Sequence, residues 1–428
     1  MREKMLIGIQ ERPRSLAKWI ILSLQHVFAM FGATVLVPIL TGLDIGVALV
    51  ASGIGTLIYI ACTKGKVPVY LGSSFAYIGA ISIAGTTNGF SSAYVGLMVV
   101  GLIYIIVATV IRFTGSAWLK KLLPPVVIGP MIIIIGLSLA PVAIGQAGLA
   151  PNSSDSYFAL LATSWKNPLI AFVTFISVIG IALKGKGFYR IVPFLIAVVI
   201  GYTSAVILGI VDLTVVFDGY SFIQVPNFTF LGTYSFDFSA VLMFAPIAFV
   251  TIAEHIGDHT VLGEVTDKDF LVDPGLKSTL LGDGLATFVS AAIGGPANTT
   301  YGENTGVVAM TRVGSVYVTG LAAVFAISLG FLGYIQAFIG SIPSAVIGGM
   351  TIILYGLIAG NGVKVLIKSK VDLYNMRNLI IVSSMLVIGL GGAEIIFDAT
   401  VGSGLSGMSI AALSGIILNL VLPRQIES

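Results

Sequence analysis

Residues Pro296 to Arg312 read P-A-N-T-T-Y-G-E-N-T-G-V-V-A-M-T-R and lie between two strongly apolar runs. A bilayer tolerates such polar backbone only where it is buried in protein or lines a cavity, so the ionisable Glu303 is a candidate functional residue. The proline and the small polar residues predict an extended segment, and Gly302 predicts the start of a helix. A discontinuous transmembrane element of this kind, with a helix N-terminus pointing inward, is typical of a substrate site near the bilayer midplane.

The composition of the whole chain is that of a polytopic membrane protein. Of 428 residues, 57% are hydrophobic and 10% are charged, and the mean hydropathy is +1.04; a soluble domain has about 25% charged residues. The single cysteine, Cys62, excludes a disulfide framework within the chain. The histidines lack the ordered ligand set of a metal site, and the sequence has no G-x-x-x-x-G-K-[ST] loop, so we expect no metal, no other cofactor and no ATP-driven transport.

The apolar runs predict an all-α polytopic membrane protein with fourteen transmembrane segments, at about 19–41, 45–62, 67–86, 92–112, 124–146, 168–184, 191–211, 239–262, 278–294, 296–312, 315–333, 343–361, 378–396 and 404–422. The first run is a full span rather than a cleavable signal. If the N-terminus is cytoplasmic, only Lys166 of the 22 Lys and Arg residues falls outside. This bias predicts a multi-pass protein of the plasma membrane with both termini cytoplasmic. It also explains the net charge of +3 without nucleic-acid binding.

The sequence contains an internal repeat. Gln25-His26 recurs as Glu254-His255 after 229 residues, and Pro68 recurs as Pro296 after 228. Two further matches keep the same order: G-I-G at 53–55 with G-D-G at 282–284, and V-I-G-P-M at 127–131 with V-I-G-G-M at 346–350. Seven spans per copy is an odd number, so the second copy is inverted, which gives a 7+7 inverted-repeat transporter plan.

The repeat pairs the opening stretch with a second special segment, K-V-P-V-Y-L-G-S-S-F at 66–75. Its β-branched, Gly and Ser residues predict an extended segment before a helix that begins near Phe75. The two broken strand–helix segments, about 67–86 and 296–312, are predicted to approach each other at the midplane. Two helix N-termini then offer backbone N–H donors to one ligand, and Phe75 and Tyr301 could enclose a planar ring.

Two carboxylates, Glu254 and Glu303, have the most apolar surroundings in the sequence. Asp258 follows Glu254 by one helical turn on the same face, and His255 and His259 form a second pair on an adjoining face. Desolvated carboxyls one turn apart disfavour simultaneous ionisation, so one of them can carry a proton. We therefore assign Glu254, Asp258 and His255 to proton coupling.

Structural interpretations stay open for several polar residues. Asp258, and with greater weight His259, could only cap or pair at the end of their span. Gln25-His26 could hold two halves of the protein together rather than act in transport. Asp283 is expected at a hydrated helix end near the cytoplasmic start of its span.

The motifs that contain these residues resemble the nucleobase/ascorbate transporter family, over nearly the whole chain. The matching stretches are S-L-Q-H-V-F-A-M-F-G-A-T at 23–34, L-G-S-S-F-A at 71–76, A-E-H-I-G-D at 253–258 and N-T-T-Y-G-E-N at 298–304, with Thr311-Arg312. Within the family, the wording is nearest to bacterial members that transport uracil. Some of those members have His where this chain has Asp258, whereas purine-transporting relatives have Asp there and commonly Gln at the position of Glu303.

The resemblance implies a uracil–proton symporter that works as an elevator-like homodimer. It implies a core domain of residues 1–122 and 239–335 and a gate domain of residues 123–238 and 336–428. Glu254 and Glu303 would bind the base, backbone amides of Phe75 and Gly302 would bind its carbonyls, and Tyr355 would face the site through water. The full implied set is Ala33, Ser74, Phe75, Glu254, Tyr301, Gly302, Glu303 and Tyr355.

Other functions fit the sequence less well. The alternative within the same class is a symporter for xanthine, urate or another purine, but Glu303 disfavours it. An ion channel is disfavoured because the two broken segments place unlike residues, Phe75 and Glu303, at the centre. An enzyme is disfavoured because the sequence presents no nucleophile–base pair or metal cage.

Overall fold

The computed structural model describes residues 5–87, 89–150, 165–186, 192–230, 238–398 and 403–423, with Tyr189, Tyr234 and Phe236. These residues are mostly helical. The helices of the first half are α1 (Leu16–Thr41), α2 (Ile45–Cys62), α3 (Ile78–Thr87), α4 (Phe90–Thr114), α5 (Ala117–Leu122), α6 (Pro125–Ser138), α7 (Ala140–Gln146), α8 (Lys166–Lys184) and α9 (Pro193–Ile207). Those of the second half are α10 (Phe238–Thr266), α11 (Leu276–Ala292), α12 (Gly302–Thr311), α13 (Val316–Gly330), α14 (Gly333–Gly340), α15 (Ser344–Lys368), α16 (Met376–Leu390) and α17 (Gly407–Val421).

Local sequence signals set several helix starts. The side chain of Ser15 accepts a hydrogen bond from the Lys18 amide at the start of α1, and Asp44 caps α2 through the Val47 amide at 2.8 Å. These side chains satisfy amides that have no partner within the helix. Pro125 and Pro193 occupy the first positions of α6 and α9, where a missing N–H removes no helical bond.

Two short strands interrupt the helical architecture where the sequence predicts extended backbone. β1 (Leu71–Ser73) pairs antiparallel with β2 (Asn298–Thr300), and Gly72 lies opposite Thr299. A 3₁₀ helix (Phe75–Tyr77) leads from β1 into α3, and α12 follows β2 directly. The predicted strand-to-helix breaks are therefore confirmed. The pairing satisfies backbone groups that would otherwise be unpaired inside an apolar bundle.

The described helices pack mainly in two sets that meet along α1 and α10. One set contains α1 to α4 with α10 to α13, and the other contains α6 to α9 with α15 to α17. Packing is mirrored between the two halves of the chain. α4 packs on α11 as α13 packs on α2, and α8 packs on α9 and α15 as α16 packs on α17 and α6.

Seven described helices are long and apolar enough to cross a membrane. They are α1, α2, α4, α6 continued by α7, α8, α10 and α15. Five shorter apolar helices begin at Phe75, Pro193, Val316, Met376 and Gly407. The chain is thus a multi-pass membrane protein, and the predicted total of fourteen spans stays a prediction.

Some boundaries differ from those predicted. The span predicted at 378–396 ends as a helix at Leu390, after which β3 (Ile395–Asp398) pairs with β4 (Ser403–Leu405). A Gly-Gly pair at 391–392, with a positive φ at Gly392, ends this helix. The predicted outside loop at 147–167 lies largely beyond the described residues, as do the extreme termini and the start of the span predicted at 191–211.

Candidate functional site

A small cleft lies where the strand pair meets α10. It faces α6 and α15 of the other helix set. Its lining residues are Phe75, Ile132, Glu254, Asp258, Thr299, Thr300, Tyr301, Gly302, Glu303, Ile358 and Asn361. The space open to the centre of a water molecule is about 30 Å³, room for about two waters. A planar base therefore needs the walls to move apart before it can enter.

Three carboxyl groups converge on this cleft. Glu254 and Asp258 project from one face of α10, and Glu303 lies in the first turn of α12. The Thr300 hydroxyl donates to Asp258 Oδ2 at 2.7 Å, whereas Glu254 Oε2 is buried with no hydrogen-bond partner among the described residues. The carboxylates of Glu254 and Glu303 can therefore accept hydrogen bonds from N–H groups of a ligand.

Hydrogen-bond donors come from the two helix starts. The amide of Gly302, the first residue of α12, has no carbonyl partner within the helix, whereas the amide of Glu303 bonds to its own carboxyl group. On the β1 side, the Ser74 amide already donates to the Ala297 carbonyl at 2.8 Å. The Ser74 hydroxyl oxygen is buried and without a partner in the described part of the chain. Phe75 is therefore the first residue on that side whose amide can serve a ligand.

The two aromatic residues predicted to enclose a ring have different surroundings. Phe75 lines the cleft and meets Tyr355 edge-on, with 6.1 Å between ring centroids. The Tyr301 hydroxyl donates to the Ser73 carbonyl at 2.9 Å, and its ring covers Gly72 so closely that an added Cβ would overlap it. Tyr301 thus joins the two broken segments, and its enclosing role stays a prediction.

Three predicted binding residues, Ala33, Ser74 and Tyr355, are not among the residues that line the cleft. Ala33 is buried on α1, outside the set of residues that line the cleft. Tyr355 reaches the cleft through Phe75, and its buried hydroxyl has no hydrogen-bond partner among the residues described. Their predicted roles remain untested.

His26 has the structural role that the sequence left open. The Asn304 side-chain amide donates to the His26 carbonyl at 3.2 Å and lies 3.1 Å from His26 Nδ1. Both residues are buried. This contact fixes α12, and with it Glu303, against α1.

A buried polar cluster behind the cleft corrects the expectation for Asp283 and shows the contacts of His259. Asp283 is 1% exposed rather than at a hydrated helix end, and its Oδ2 lies 2.6 Å from His255 Nδ1. Of the two structural roles left open for His259, the structure shows pairing: the ring stacks on His255 and hydrogen-bonds to the Tyr59 hydroxyl. The G-D-G stretch on α11 packs against α2 and α4, which removes Asp283 from water.

Sequence reasoning missed three polar residues of the cleft, Thr299, Thr300 and Asn361. Asn361 on α15 lies close to Gly302: a Cβ added to Gly302 would be 3.3 Å from Asn361 Nδ2. Thr300 provides the donor to Asp258. The polar extended stretch before α12 could have suggested Thr299 and Thr300, whereas nothing in the sequence placed Asn361 opposite α12.

A bundle of apolar helices with a buried polar cleft at two interrupted helices defines the class of membrane permeases built on broken helices. The family model described as "Permease family" matches residues 17–396. The chain belongs to this permease family.

Individual relatives agree over nearly the full length. The chain is 46% identical to the uracil permease of Bacillus caldolyticus over 423 residues, covering 98% of this chain and 95% of that protein. It is 46% identical to the uracil permease of Bacillus subtilis (strain 168) over 432 residues, covering 100% and 97%. The solved transmembrane domain of a cyanobacterium bicarbonate transporter, BicA, matches with a TM-score of 0.67 and 16% identity, covering 95% of this chain and 100% of that one. This last likeness concerns the fold alone.

Proposed function

We propose that the chain takes up uracil across the plasma membrane in symport with protons. The observation that carries the proposal is the cleft at the strand pair, where carboxylates and helix amides converge. Uracil presents ring N–H donors and carbonyl acceptors in one plane. Glu254 and Glu303 would accept from the ring nitrogens, and the amides of Phe75 and Gly302 would donate to the carbonyl oxygens. The names of the two Bacillus relatives support this substrate.

The second candidate is a purine base such as xanthine or urate. It is favoured by Asp258, which lines the cleft beside Glu254 and is held by Thr300. A carboxylate at that position adds an acceptor that a purine's second ring could use. Glu303 and the identity of the relatives favour uracil.

Proton coupling is supported by the arrangement of acidic groups. Glu254, Asp258 and Glu303 line one cleft that is too small for more than about two waters. Three ionised carboxylates at such close quarters repel one another strongly, so binding of a proton accompanies the closing of the cleft. Glu254 is the principal candidate, with Asp258 and His255 as partners on the same helix.

Alternating access is proposed to follow the division of the helices into two sets. Residues 1–122 and 239–335 would form the core domain that carries the cleft, and residues 123–238 and 336–428 the gate domain. The mirrored packing of the two halves supports fourteen spans in two inverted repeats of seven. The core would move as one body against the gate along α1 and α10, as an elevator.

The position in the membrane rests on charge. The distribution of basic residues between spans supports a cytoplasmic position for both termini. A homodimer would hold the gate domains still while each core moves. Cross-linking in native membranes tests the dimer, and cysteine labelling from either side tests the orientation; labelling of a C-terminal cysteine from outside would contradict it.

The deciding experiment is radiolabelled uracil uptake into proteoliposomes with an imposed inward proton gradient. Accumulation above equilibrium that excess unlabelled xanthine does not reduce is the expected result. Uptake abolished by xanthine would move the substrate to purines. Uptake that reaches only equilibrium would contradict proton coupling and indicate a facilitated transporter of uracil.

A further inference from the structure

An open vestibule lies at the C-terminal end of α10, on the face proposed to be cytoplasmic. Its volume is about 410 Å³, and its wall includes Thr260, Glu264, Lys268 and Asp269. His259, itself 1% exposed, forms its inner end. The vestibule shares no lining residue with the substrate cleft.

The hydrogen bonds of His259 fix its protonation pattern. Its Nδ1 lies 2.7 Å from the His255 carbonyl oxygen, which can only accept, so Nδ1 carries the hydrogen. In the neutral ring Nε2 is then the acceptor of the Tyr59 hydroxyl. The two imidazoles stack with centroids 3.9 Å apart. A single stacked ring therefore separates the vestibule from His255.

His255 and Asp283 form a pair with room for one proton. His255 Nδ1 and Asp283 Oδ2 are 2.6 Å apart, while His255 Nε2 and Asp283 Oδ1 are buried without partners among the described residues. When the pair is ionised, Nδ1–H donates to the carboxylate and Nε2 is bare, for a net charge of −1. One added proton gives either imidazolium with carboxylate or neutral imidazole with carboxylic acid. Both forms are neutral overall. When the acid proton lies in the hydrogen bond between Nδ1 and Oδ2, which is the arrangement inferred below, both forms place a hydrogen on His255 Nε2.

We infer that His255 and Asp283, screened from the vestibule by His259 and Tyr59, form a second proton-binding site separate from the substrate cleft. The proton comes from water in the vestibule and is bound at the pair, so its charge changes from −1 to zero. Other ionisable groups face the pair from each neighbouring element. They are Tyr59 on α2, Tyr77 in the 3₁₀ helix, Tyr104 on α4, and Glu254 and Asp258 on α10.

The site can act on the cleft through charge alone. His255 directly follows Glu254 on α10, and the charge of Asp283 acts on both Glu254 and Asp258. Neutralising the pair therefore makes an ionised Glu254 less unfavourable, which links proton loading from the vestibule to the state of the substrate cleft. This coupling role rests on the proposed proton symport, whereas the existence of the proton site does not.

The test of the site uses the fact that the chain has three histidines, His26, His255 and His259. The protein is labelled with ¹⁵N-histidine, solubilised in detergent, and followed by NMR between about pH 5 and pH 8. Single His→Gln variants assign the signals. The expected result is that His255 Nε2 gains a hydrogen as the pH falls, while His26, bonded to Asn304, does not change. A His255 Nε2 that keeps one state over the whole range overturns the proposal, and that result needs no variant of Asp283.

A transport measurement tests the coupling role with a matched pair of variants. Asp283→Asn removes the charge of the pair, and Asp269→Asn makes the same change on the vestibule wall. With one pH unit across the membrane, a proton no longer coupled lowers accumulation about tenfold. We expect this loss for Asp283→Asn with exchange retained, and full accumulation for Asp269→Asn. Wild-type accumulation by Asp283→Asn overturns the coupling role.

The two proposals fail in different ways. Equilibrium binding of labelled uracil to the wild-type protein is measured in the same detergent sample. Absence of binding contradicts the proposed substrate and leaves the NMR result on His255 standing. Normal binding and accumulation with an unchanging His255 contradict the second proton site alone.

Discussion

The two broken segments have the same backbone plan and opposite chemistry. Each is a three-residue strand followed by a helix start, and the 228-residue shift places Phe75 and Glu303 at equivalent positions. At these two positions, one segment presents an aromatic ring to the cleft and the other a carboxylate. The symmetric backbone supplies two sets of amide donors, and the unequal side chains give the site one orientation. A pair of identical half-elements would bind a planar ligand in two ways.

A second difference lies within the strands, three residues before Phe75 and Glu303. Gly72 and Thr300 are equivalent under the same shift. Gly72 lies beneath the Tyr301 ring, whereas the Thr300 hydroxyl reaches Asp258. The close approach of Tyr301 therefore requires glycine in one segment only.

The largest effect is expected from Gly72→Ala. The new Cβ would overlap the Tyr301 ring and lie 2.7 Å from Thr34 Oγ1. Such overpacking costs about 3 kcal/mol, which we expect as loss of monodisperse protein in detergent. The control is Thr300→Ala, which shortens a side chain at the equivalent position and should leave the protein folded. Equal yields of both variants would mean that the strand pair does not need this close contact.

Glu303→Gln tests the chemical asymmetry directly. Replacing the carboxylate with an amide removes a charged acceptor for a ring N–H, worth about 1.5–3 kcal/mol. Uracil affinity should fall about 10- to 100-fold in equilibrium binding, while competition by purines improves. Glu394→Gln, the same carboxyl-to-amide change at an exposed position outside the cleft, is the control. Unchanged uracil affinity would remove Glu303 from the site.

Glu254→Gln tests whether the carboxylate of α10 couples protons as well as binding the base. The variant should still exchange internal for external uracil but accumulate about tenfold less per pH unit of gradient. The measurement compares counterflow with proton-driven uptake in the same proteoliposomes. Accumulation equal to wild type would assign coupling to other groups.

The smallest effect is expected from Tyr301→Phe. It removes the hydrogen bond to the Ser73 carbonyl, which joins the two segments at 2.9 Å, and should lower stability by about 1 kcal/mol. Thermal unfolding in detergent measures it, with the fully exposed Tyr374 changed to Phe as the control. If the variant is as stable as the control, the hydrogen bond contributes nothing measurable and the strand pairing holds the two segments together.

The central geometry could be predicted from the sequence because a membrane restricts the choices. Polar, Gly- and Pro-containing stretches between apolar runs have to be paired or line a cavity, which predicted both breaks and their meeting. The i, i+4 spacing on α10 placed Glu254 and Asp258 on one face, and the structure has both in the cleft.

Other features depended on packing that a single sequence does not encode. The sequence predicted Asp283 at a hydrated helix end, but α2 and α4 pack against this part of α11 and bury the side chain. Asn361 enters the cleft from a helix far along the chain. The end of α16 at Leu390 was missed because the apolar run continues through Ile395 and Ile396, which form a strand instead.

The pairing of β1 with β2 also has a consequence for synthesis of the protein. Leu71 pairs with Thr300, so β1 emerges from the ribosome 229 residues before its partner. At roughly 5–20 residues per second, that delay is about ten to fifty seconds. During this time the backbone of residues 67–74 has no strand partner in an apolar environment. Assembly of this permease therefore requires the insertion machinery, or the helices already made, to shelter that segment until the second half arrives.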